Sequence, residues 1–390
     1  MRTLSRRTAR LLAAAVVSAG AVATAGALAL PASAQPDGSA SHHTLFVRQI
    51  AFGAKLHHNY QANGKGAWHT EALTQPDDIS ELWGRIYVGF QNGGGPQGQP
   101  SADGNLDSTI VEFTLNGQEV RQWDVPGHAD GVTADPQTGK VIATVNEDAN
   151  SSLFTISPST GHVTHYAYNV ALPHKGGTDA IEIYHGQILI SASAPGTTGT
   201  APASAPAVYV VSLNPGTKIA TVHGLFDDNS IARAVNGPHA GTLVHLALTD
   251  PDSNEVVPYD SPNFGGDFML DSQGDQELIF DQPYGWGAGL SVLALTHSVD
   301  DTSWATSPYG AIYTTDATAD TVDTVTGWFH VGTSYSSVTP CDENSAPATC
   351  PAPGYPPNYL ATVNLTTGAL TPVVTSGAPL QPKGQIFVKF

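Results

Sequence analysis

Residues 128–166 read HADGVTADPQTGKVIATVNEDANSSLFTISPSTGHVTHY, and the pattern of this stretch decides the fold. A short strand is expected over 130–134, after which Asp135, Pro136 and Gly139 supply the chemistry of a tight turn. A second strand follows over 140–145, a polar loop over 146–151 and a third strand over 152–157. Pro158, Thr160 and Gly161 then turn the chain into a fourth strand over 162–168. The result is one four-stranded antiparallel meander of about 40 residues. Alone, such a sheet leaves apolar faces uncovered, so it needs copies of itself to pack against.

The sequence supplies those copies. Upstream, PDDISEL, GRIYVGF, STIVEFTL and EVRQWDV repeat the scheme, with a Gly-rich loop over 93–105 and a turn at Asn116-Gly117. Downstream, TDAIEI, GQILISA, AVYVVSL and KIATVHGL repeat it again, with a low-complexity loop over 195–206. A less regular copy is expected from TLVHLAL, NEVVPY and the hairpin FMLDSQGDQELIFD, entered at Asp227, Asp228 and Asn229. A fifth starts at VDDTSWA and continues through GAIYTTD and DTVDTVTG, while YGWGAGLSVLALTH has no assigned place. The terminal GQIFVKF matches the second strands GRIYVGF and GQILISA but lacks a following hairpin, which assigns it the N-terminal strand over 44–52 as partner. The expected fold class is therefore all-β: a six-bladed β-propeller, or seven-bladed if residues 290–297 and the cysteine loop build another blade. It forms a single domain over 44–390, its ring closed by pairing of the N- and C-terminal strands.

Compartment is read from the first residues. Arg2, Arg6, Arg7 and Arg10 precede an apolar run over 11–30, and Pro31-Ala32-Ser33-Ala34 ends in a small-x-small cleavage site. Residues 1–34 are thus expected to be a signal peptide, 35–43 a flexible segment, and the protein extracellular. Without the signal, 11 basic residues face 34 acidic ones and the net charge is −23. Such a surface repels phosphate backbones and anionic lipid, so neither nucleic acid nor membrane is an expected partner. A monomer that takes a small molecule or glycan is expected instead. Cys341 and Cys350, in PCDENSAPATCP, are expected to form one disulfide that pins an insertion over 328–357.

First strands of a propeller line its channel, and several of them open on acids. Asp77, Asp130, Asp179 and Asp300 stand at such starts, beside His128, His174 and His297, while Asn146, Glu147, Asp250, Asp252 and Asp316 enter from a second set of loops. Carboxylates crowded at one mouth repel each other unless a cation or hydrogen bonds relieve them. Oxygen donors at this density suit Ca2+ or another divalent cation. Asp77, Asp130, Asn146, Glu147, Asp179 and Asp300 are the candidate metal ligands, and His128, Asp130, Asp179 and Asp300 the candidate catalytic residues. The competing reading makes each Asp a turn residue that accepts backbone N–H groups. No G-x-S-x-G elbow, H-E-x-x-H helix or Walker loop is present. The tryptophans fall on or beside strands, most of them as packing residues, while Trp286 in YGWGAG is the one expected to be exposed and to stack on a ligand.

The recurring D-G-[IV]-x-x-[DN]-x-x-[TG]-G-x-[IVL]-[IYF]-[VA], with [SN]-x-[LIV]-[FY] and T-G-x-[VL] later in each copy, resembles the bacterial six-bladed propellers with NHL-type and gluconolactonase-type (SMP-30-like) blades. That class includes calcium-dependent lactonases, lyases and non-catalytic binding domains. The resemblance implies a Glu near the first channel strand, for which Glu71 and Glu147 are counterparts, and Asn and Asp ligands, for which Asn146 and Asp300 are counterparts. Two readings stay open. One is a secreted cation-dependent hydrolase or lyase, and the other an extracellular binding propeller without chemistry.

Overall fold

The computed structural model describes residues 44–195, 204–282 and 289–390, about half of them in strands of three to nine residues. The expected signal peptide, the 35–43 segment, the centre of the 195–206 loop and Trp286 lie outside the described residues. The fold is all-β, broken by short 3-10 turns.

Pro76–Leu82, Arg85–Phe90, Asp107–Thr114 and Glu119–Pro126 form one antiparallel sheet in chain order. Ala129–Asp135, Lys140–Val145, Ser152–Ser157 and His162–Tyr168 form the next meander, with the strand limits the sequence pattern gives to within a residue. It shares an eight-stranded sheet with Ile181–Tyr184, Gln187–Ser191, Pro206–Asn214 and Ile219–Asp227, because Ala167 and Tyr168 pair in parallel with Ile219 and Ala220.

Three expectations are corrected beyond this point. The fourth copy does not begin at Asp227. Its leading strand is Pro251–Val256, followed by Phe268–Ser272, Glu277–Asp281 and Ser291–Ala294. Ile231–Ala234 and Leu243–His245, from the expected entry region, add to its far edge instead. The fifth sheet starts with Val299–Trp304 as read, but its later strands are Ser334–Val338, Tyr359–Val363 and Leu370–Pro372. Part of the expected 328–357 insertion, Ser334–Val338, is thus regular strand, and residues 329–333 and the segment after Val338 are loop. Finally, the terminal strands share a sheet without pairing with each other. Its order is Thr375–Gly377, Leu45–Phe52, Thr321–Trp328, Tyr309–Asp316, Gln385–Lys389, so the hairpin 309–328 separates the two chain ends. GQIFVKF is a leading strand, not a second strand. Alternation is the same at both positions, so strand pattern alone does not distinguish them.

Apolar packing lies between successive meanders. Tyr87, Ile110 and Trp123 meet Val132, Val141 and Phe154, and at the other end of the series Ala311 and Tyr313 meet Ile79, Val88 and Phe113. The six leading strands touch in the order Pro76–Leu82, Ala129–Asp135, Ile181–Tyr184, Pro251–Val256, Val299–Trp304, Gln385–Lys389, and the last touches the first.

Four of these strands carry the same irregularity. Between Pro76 and Ile79, Ala129 and Val132, Pro251 and Asn254, and Val299 and Thr302, the leading strand advances three residues while its partner advances two. Each is a β-bulge that sets two residues against one. Asp179-Ala180 against Ser191 and Lys383-Gly384 against Thr315 show one common bonding pattern: Asp179 and Lys383 donate N–H to the opposite carbonyl, at 3.1 and 2.9 Å, and Ala180 and Gly384 accept the return N–H. The residue facing the bulge often carries a hydroxyl that reaches the next meander. Thr144 Oγ1 donates to Asp179 O (2.5 Å), Ser191 Oγ to Asp252 O (2.6 Å), and Thr315 Oγ1 to Asp77 O. Thr144 Oγ1 also accepts Gly131 N–H at 2.9 Å. Gly131 is required there, since a Cβ would stand 2.4 Å from Asp179 O.

Thr144→Val keeps the shape and removes these bonds, leaving Gly131 N–H unpaired. It should cost about 1–3 kcal/mol, read as a lowered unfolding midpoint, with Thr144→Ser near wild type. Asp271 occupies the equivalent place opposite Asp252-Ser253, is fully buried, and neither carboxyl oxygen has a hydrogen-bond partner among the described residues. Asp271→Thr should therefore raise the midpoint; a lowered one would mean that the carboxyl is engaged.

Candidate functional site

The bulges aim the first of their two residues at a common cavity. These residues are Asp77, Asp130, Asp179, Asp252, Asp300 and Lys383, all lining a cavity of about 290 Å³ enclosed by the leading strands. Five carboxylates and one ammonium thus occupy equivalent backbone positions. The second bulge residues do a different job. Asp78 Oδ2 accepts Val132 N–H (2.6 Å) and Asp301 Oδ2 accepts Gln385 N–H (2.5 Å), each tying its strand to the next leading strand.

Of the sequence-derived candidates, Asp77, His128, Asp130, Glu147, Asp179 and Asp300 face this cavity. Asn146 does not. Its Oδ1 accepts the backbone N–H of His128 (2.9 Å) and its Nδ2 donates to Asn150 O (3.1 Å), so its side chain positions His128 rather than entering the cavity. Glu71 lies elsewhere, on the hairpin strand Trp68–Ala72, bonded to His58 Nε2 at 2.9 Å and to Asn105 Nδ2 at 2.7 Å. The three imidazoles do not converge either. His174 Nδ1 meets Pro195 O, and His297 Nδ1 meets Glu343 Oε1 at 2.7 Å. Asp316 serves its own turn, accepting Thr318 and Ala319 N–H.

Two cavity residues, Lys383 and Asp342, escape the sequence reading, and a third is misplaced. Asp252 is read as a loop acid because the fourth copy is started too early, whereas it lies in the leading strand Pro251–Val256. Lys383 hides before a strand read as a second strand; its placement directly before Gly384, where Asp130 precedes Gly131, is the signal that finds it. Asp342 follows Cys341, and the Cys341–Cys350 disulfide is formed as expected, with a Cα–Cα distance of 5.5 Å.

His128, Asp130 and Glu147 form the tightest group. One ligand atom from each lies within 4.8 Å of the others, a group that could hold a metal ion. His128 Nδ1 is 2.8 Å from Gly94 O, and a carbonyl only accepts, so Nδ1 carries a proton. Nε2 stands 3.1 Å from Asp130 Oδ1. Asp130 Oδ1 also accepts from Gln91 Nε2 (3.3 Å), which bonds Asp77 Oδ2 at 2.6 Å. Asp130 Oδ2 has no partner among the described residues, although Asp130 is only 4 % exposed. Lys383 Nζ pairs with Asp77 Oδ1.

Electrostatics follow from burial. Desolvation, then repulsion from Asp130, pushes Glu147 up to about 8. Burial also outweighs the attraction of Lys383 and lifts Asp300 to about 8, and carries Asp301 to about 7 against its backbone hydrogen bonds. Asp179 and Asp252 stand well above the usual carboxylate range, through burial and then neighbouring carboxylates. Burial works against charge on His128, yet the hydrogen bond and charge of Asp130 prevail and push it up to about 9. At Lys383, burial is likewise overcome by Asp77 and Asp300, and its pKa stays well above the ordinary value. At neutral pH the cavity therefore holds a mixture of carboxylic acids and carboxylates, an imidazolium and one ammonium. It offers proton donors, acceptors and oxygen ligands within one cavity.

No family model matches the chain, and no curated protein does. Among solved structures it is similar to a protein of unknown function from Bacteroides caccae, at 9% identity over 86% of this chain and 99% of that one, with a TM-score of 0.45. It is also similar to a protein from Lactobacillus plantarum, at 9% identity over 89% and 100% of the chains (TM-score 0.42), and to a luciferin-regenerating enzyme, at 11% identity over 67% and 81% (TM-score 0.36). None of these likenesses assigns a residue or a reaction to this chain. Among the described residues no helix is long and apolar enough to cross a membrane.

The raised values share one sign for stability. A group that holds its proton more tightly when folded stabilises the fold at low pH, and loses that contribution as pH climbs through the folded value. For Glu147, Asp300 and Asp301 the window runs from about pH 4 up to 7–8, and for His128 from about 6.5 up to 9. In chelator-containing buffer the unfolding midpoint should therefore fall steadily between pH 5 and pH 9. A midpoint that rises over that range would show the cavity acids to be ionised without penalty. In parallel, Asp130→Asn should drop the His128 imidazole titration, followed by NMR, from about 9 to below its ordinary value.

Proposed function

We propose that the chain is a secreted, monomeric six-bladed β-propeller that holds a divalent cation at its channel mouth and acts as a hydrolase or lyase on a small carbonyl-containing substrate. The closed circuit of leading strands and the apolar clusters between successive meanders support the blade count. The formed disulfide fits an oxidising compartment.

Asp130 carries the cation reading. A carboxylate oxygen that is buried, without a hydrogen-bond partner, and grouped with an imidazole and a second carboxylate is costly unless something positive completes it. The donor set is mainly oxygen, which suits Ca2+, while the imidazole nitrogen widens the choice toward borderline ions such as Mn2+ or Zn2+. His128, Asp130 and Glu147 would hold the ion, which supplies Lewis acidity for a carbonyl or a bound water. The chain's own groups handle protons. Asp300 is largely neutral at pH 7, and Gln273 Nε2 donates to its Oδ1 at 2.9 Å, which leaves the proton on Oδ2 to be given to a leaving oxygen. A net charge of −23 and the small volume of the cavity favour a small neutral or cationic substrate over a polyanion.

Lys383 favours a second reading, that of a binding propeller without chemistry. Its ammonium occupies the sixth ring position and offsets part of the acid charge with no ion at all.

Elemental analysis of the purified protein should find one divalent ion per chain, and a chelator should lower the unfolding midpoint. Asp130→Asn and Glu147→Gln should each weaken the ion by at least about 100-fold, beyond the loss typical of residues that only support a ligand. Affinity should rise with pH toward 9 as His128 releases its Nε2 proton. Turnover of lactones or esters that tracks the ion would carry the enzyme reading. An ion-free protein with a chelator-insensitive midpoint and no turnover would leave only the binding reading.

A further inference from the structure

The ends of the leading strands remote from the acid ring carry a second feature, a groove that shares only Glu182 with the acid-lined cavity. Leu82 pairs with Arg85, so Trp83 and Gly84 alone form the turn between two strands, with φ of 52° and 79°. Two-residue hairpin turns with both φ positive favour Asn, Asp or Gly, and a bulky aromatic residue there is a backbone outlier. Tyr184 pairs with Gln187 in the same way, leaving His185 and Gly186 as a turn with φ of 50° and 76°. Both turns flank one open groove of about 490 Å³, whose wall also includes Glu81, Gln137 and Glu182. The chain thus places a ring at two strained positions beside the same groove, where small polar residues would fold with less strain.

Trp83 is not being used for packing. Its side chain is among the most exposed of the large apolar groups, at 73 %. What it does touch is Gly139 in the neighbouring turn, where a Cβ would stand 2.7 Å from the benzo end of the indole. Gly139 therefore gives the ring a fixed resting place while leaving most of it in solvent. An oriented, solvent-facing indole beside an exposed amide, an exposed imidazole and carboxylates combines a flat apolar platform with hydrogen-bonding groups of both kinds.

We propose that the groove between the turns 83–84, 135–140 and 185–186 binds a neutral carbohydrate, whose C–H face stacks on Trp83 while Gln137, His185 and Glu81 take its hydroxyls. Charge selects the class. The acidic chain repels polyanionic glycans, and a single open-faced indole is not the multi-sided aromatic cage that a quaternary ammonium needs. Trp83 stands about 20 Å along its strand from Asp77, so the groove presents a polymer or surface glycan to the molecule without occupying the acid-lined cavity. The inference does not depend on the cation or on any reaction there.

Soluble cellohexaose, mannohexaose, xylohexaose and maltohexaose, with choline as a cationic control, can be titrated against the purified protein by calorimetry and tryptophan fluorescence. At least one hexasaccharide should bind and shift the emission, and choline should not. Trp83→Asn should weaken that binding at least tenfold while the unfolding midpoint stays equal or rises, because Asn suits the turn. The proposal is overturned if none of the sugars binds, if Trp83→Asn binds as well as wild type, or if choline binds in their place. A Trp83→Asn protein that unfolds at lower temperature or does not fold also overturns it, since the indole would then be a packing element.

Discussion

Each leading strand has to satisfy two demands at one point: its backbone must stay paired outward, and its polar side chain must face a cavity too small to hydrate it freely. The one-residue bulge meets both, because two residues share one partner and the first is turned inward. The same device then organises the surroundings. In three meanders the residue opposite the bulge is brought toward the next strand, and Thr144, Ser191 and Thr315 reach the carbonyls of Asp179, Asp252 and Asp77. The second bulge residue is left beside the neighbouring strand, where Asp78 and Asp301 collect its N–H groups. The acid ring and the seams between sheets are therefore one construction.

Its consequence is electrostatic. Five carboxylates held by backbone geometry cannot move apart, so the protein relieves them by protonation, by Lys383 and by hydrogen bonds from Gln91 and Gln273. The relief is uneven. Asp77 has an ammonium and an amide, whereas one oxygen of Asp130 has neither. On that side His128, Asp130 and Glu147 form a group that could hold a metal ion. The disulfide loop takes part as well, since Asp342 reaches the cavity, while Glu343 bonds His297.

Much of this was legible in particular residues. The period-two alternation and the turn chemistry of 128–166 place its four strands, because neighbouring strands in a meander need only local turns to find each other. The acids at Asp77, Asp130, Asp179 and Asp300 are visible for the same reason, each standing just before such a strand. The reading fails where the chain leaves chain order. The hairpin 309–328 looks like the second and third strands after Val299–Trp304, yet it crosses into the sheet of the chain ends. Lys383 is lost with it, and Asp252 is read as a loop acid with the misplaced fourth copy, since a ring position is recognised only once the strand's place in its sheet is known.

The tryptophans mark the same boundary. Trp123 and Trp304 are buried as their strands suggest, while Trp68, Trp83 and Trp328 are exposed; at Trp83 the difference depends on a turn conformation and on Gly139 in another meander. By itself the sequence determined the all-β class, the meander unit, the acidic character and the paired cysteines, because each arises from composition or from contacts a few residues apart. Only the tertiary structure decided which acids share a cavity, which of them lacks a partner and which strand closes the circuit. Those properties are distances between residues far apart in the chain, set by burial and by long-range strand pairing that a local pattern does not encode.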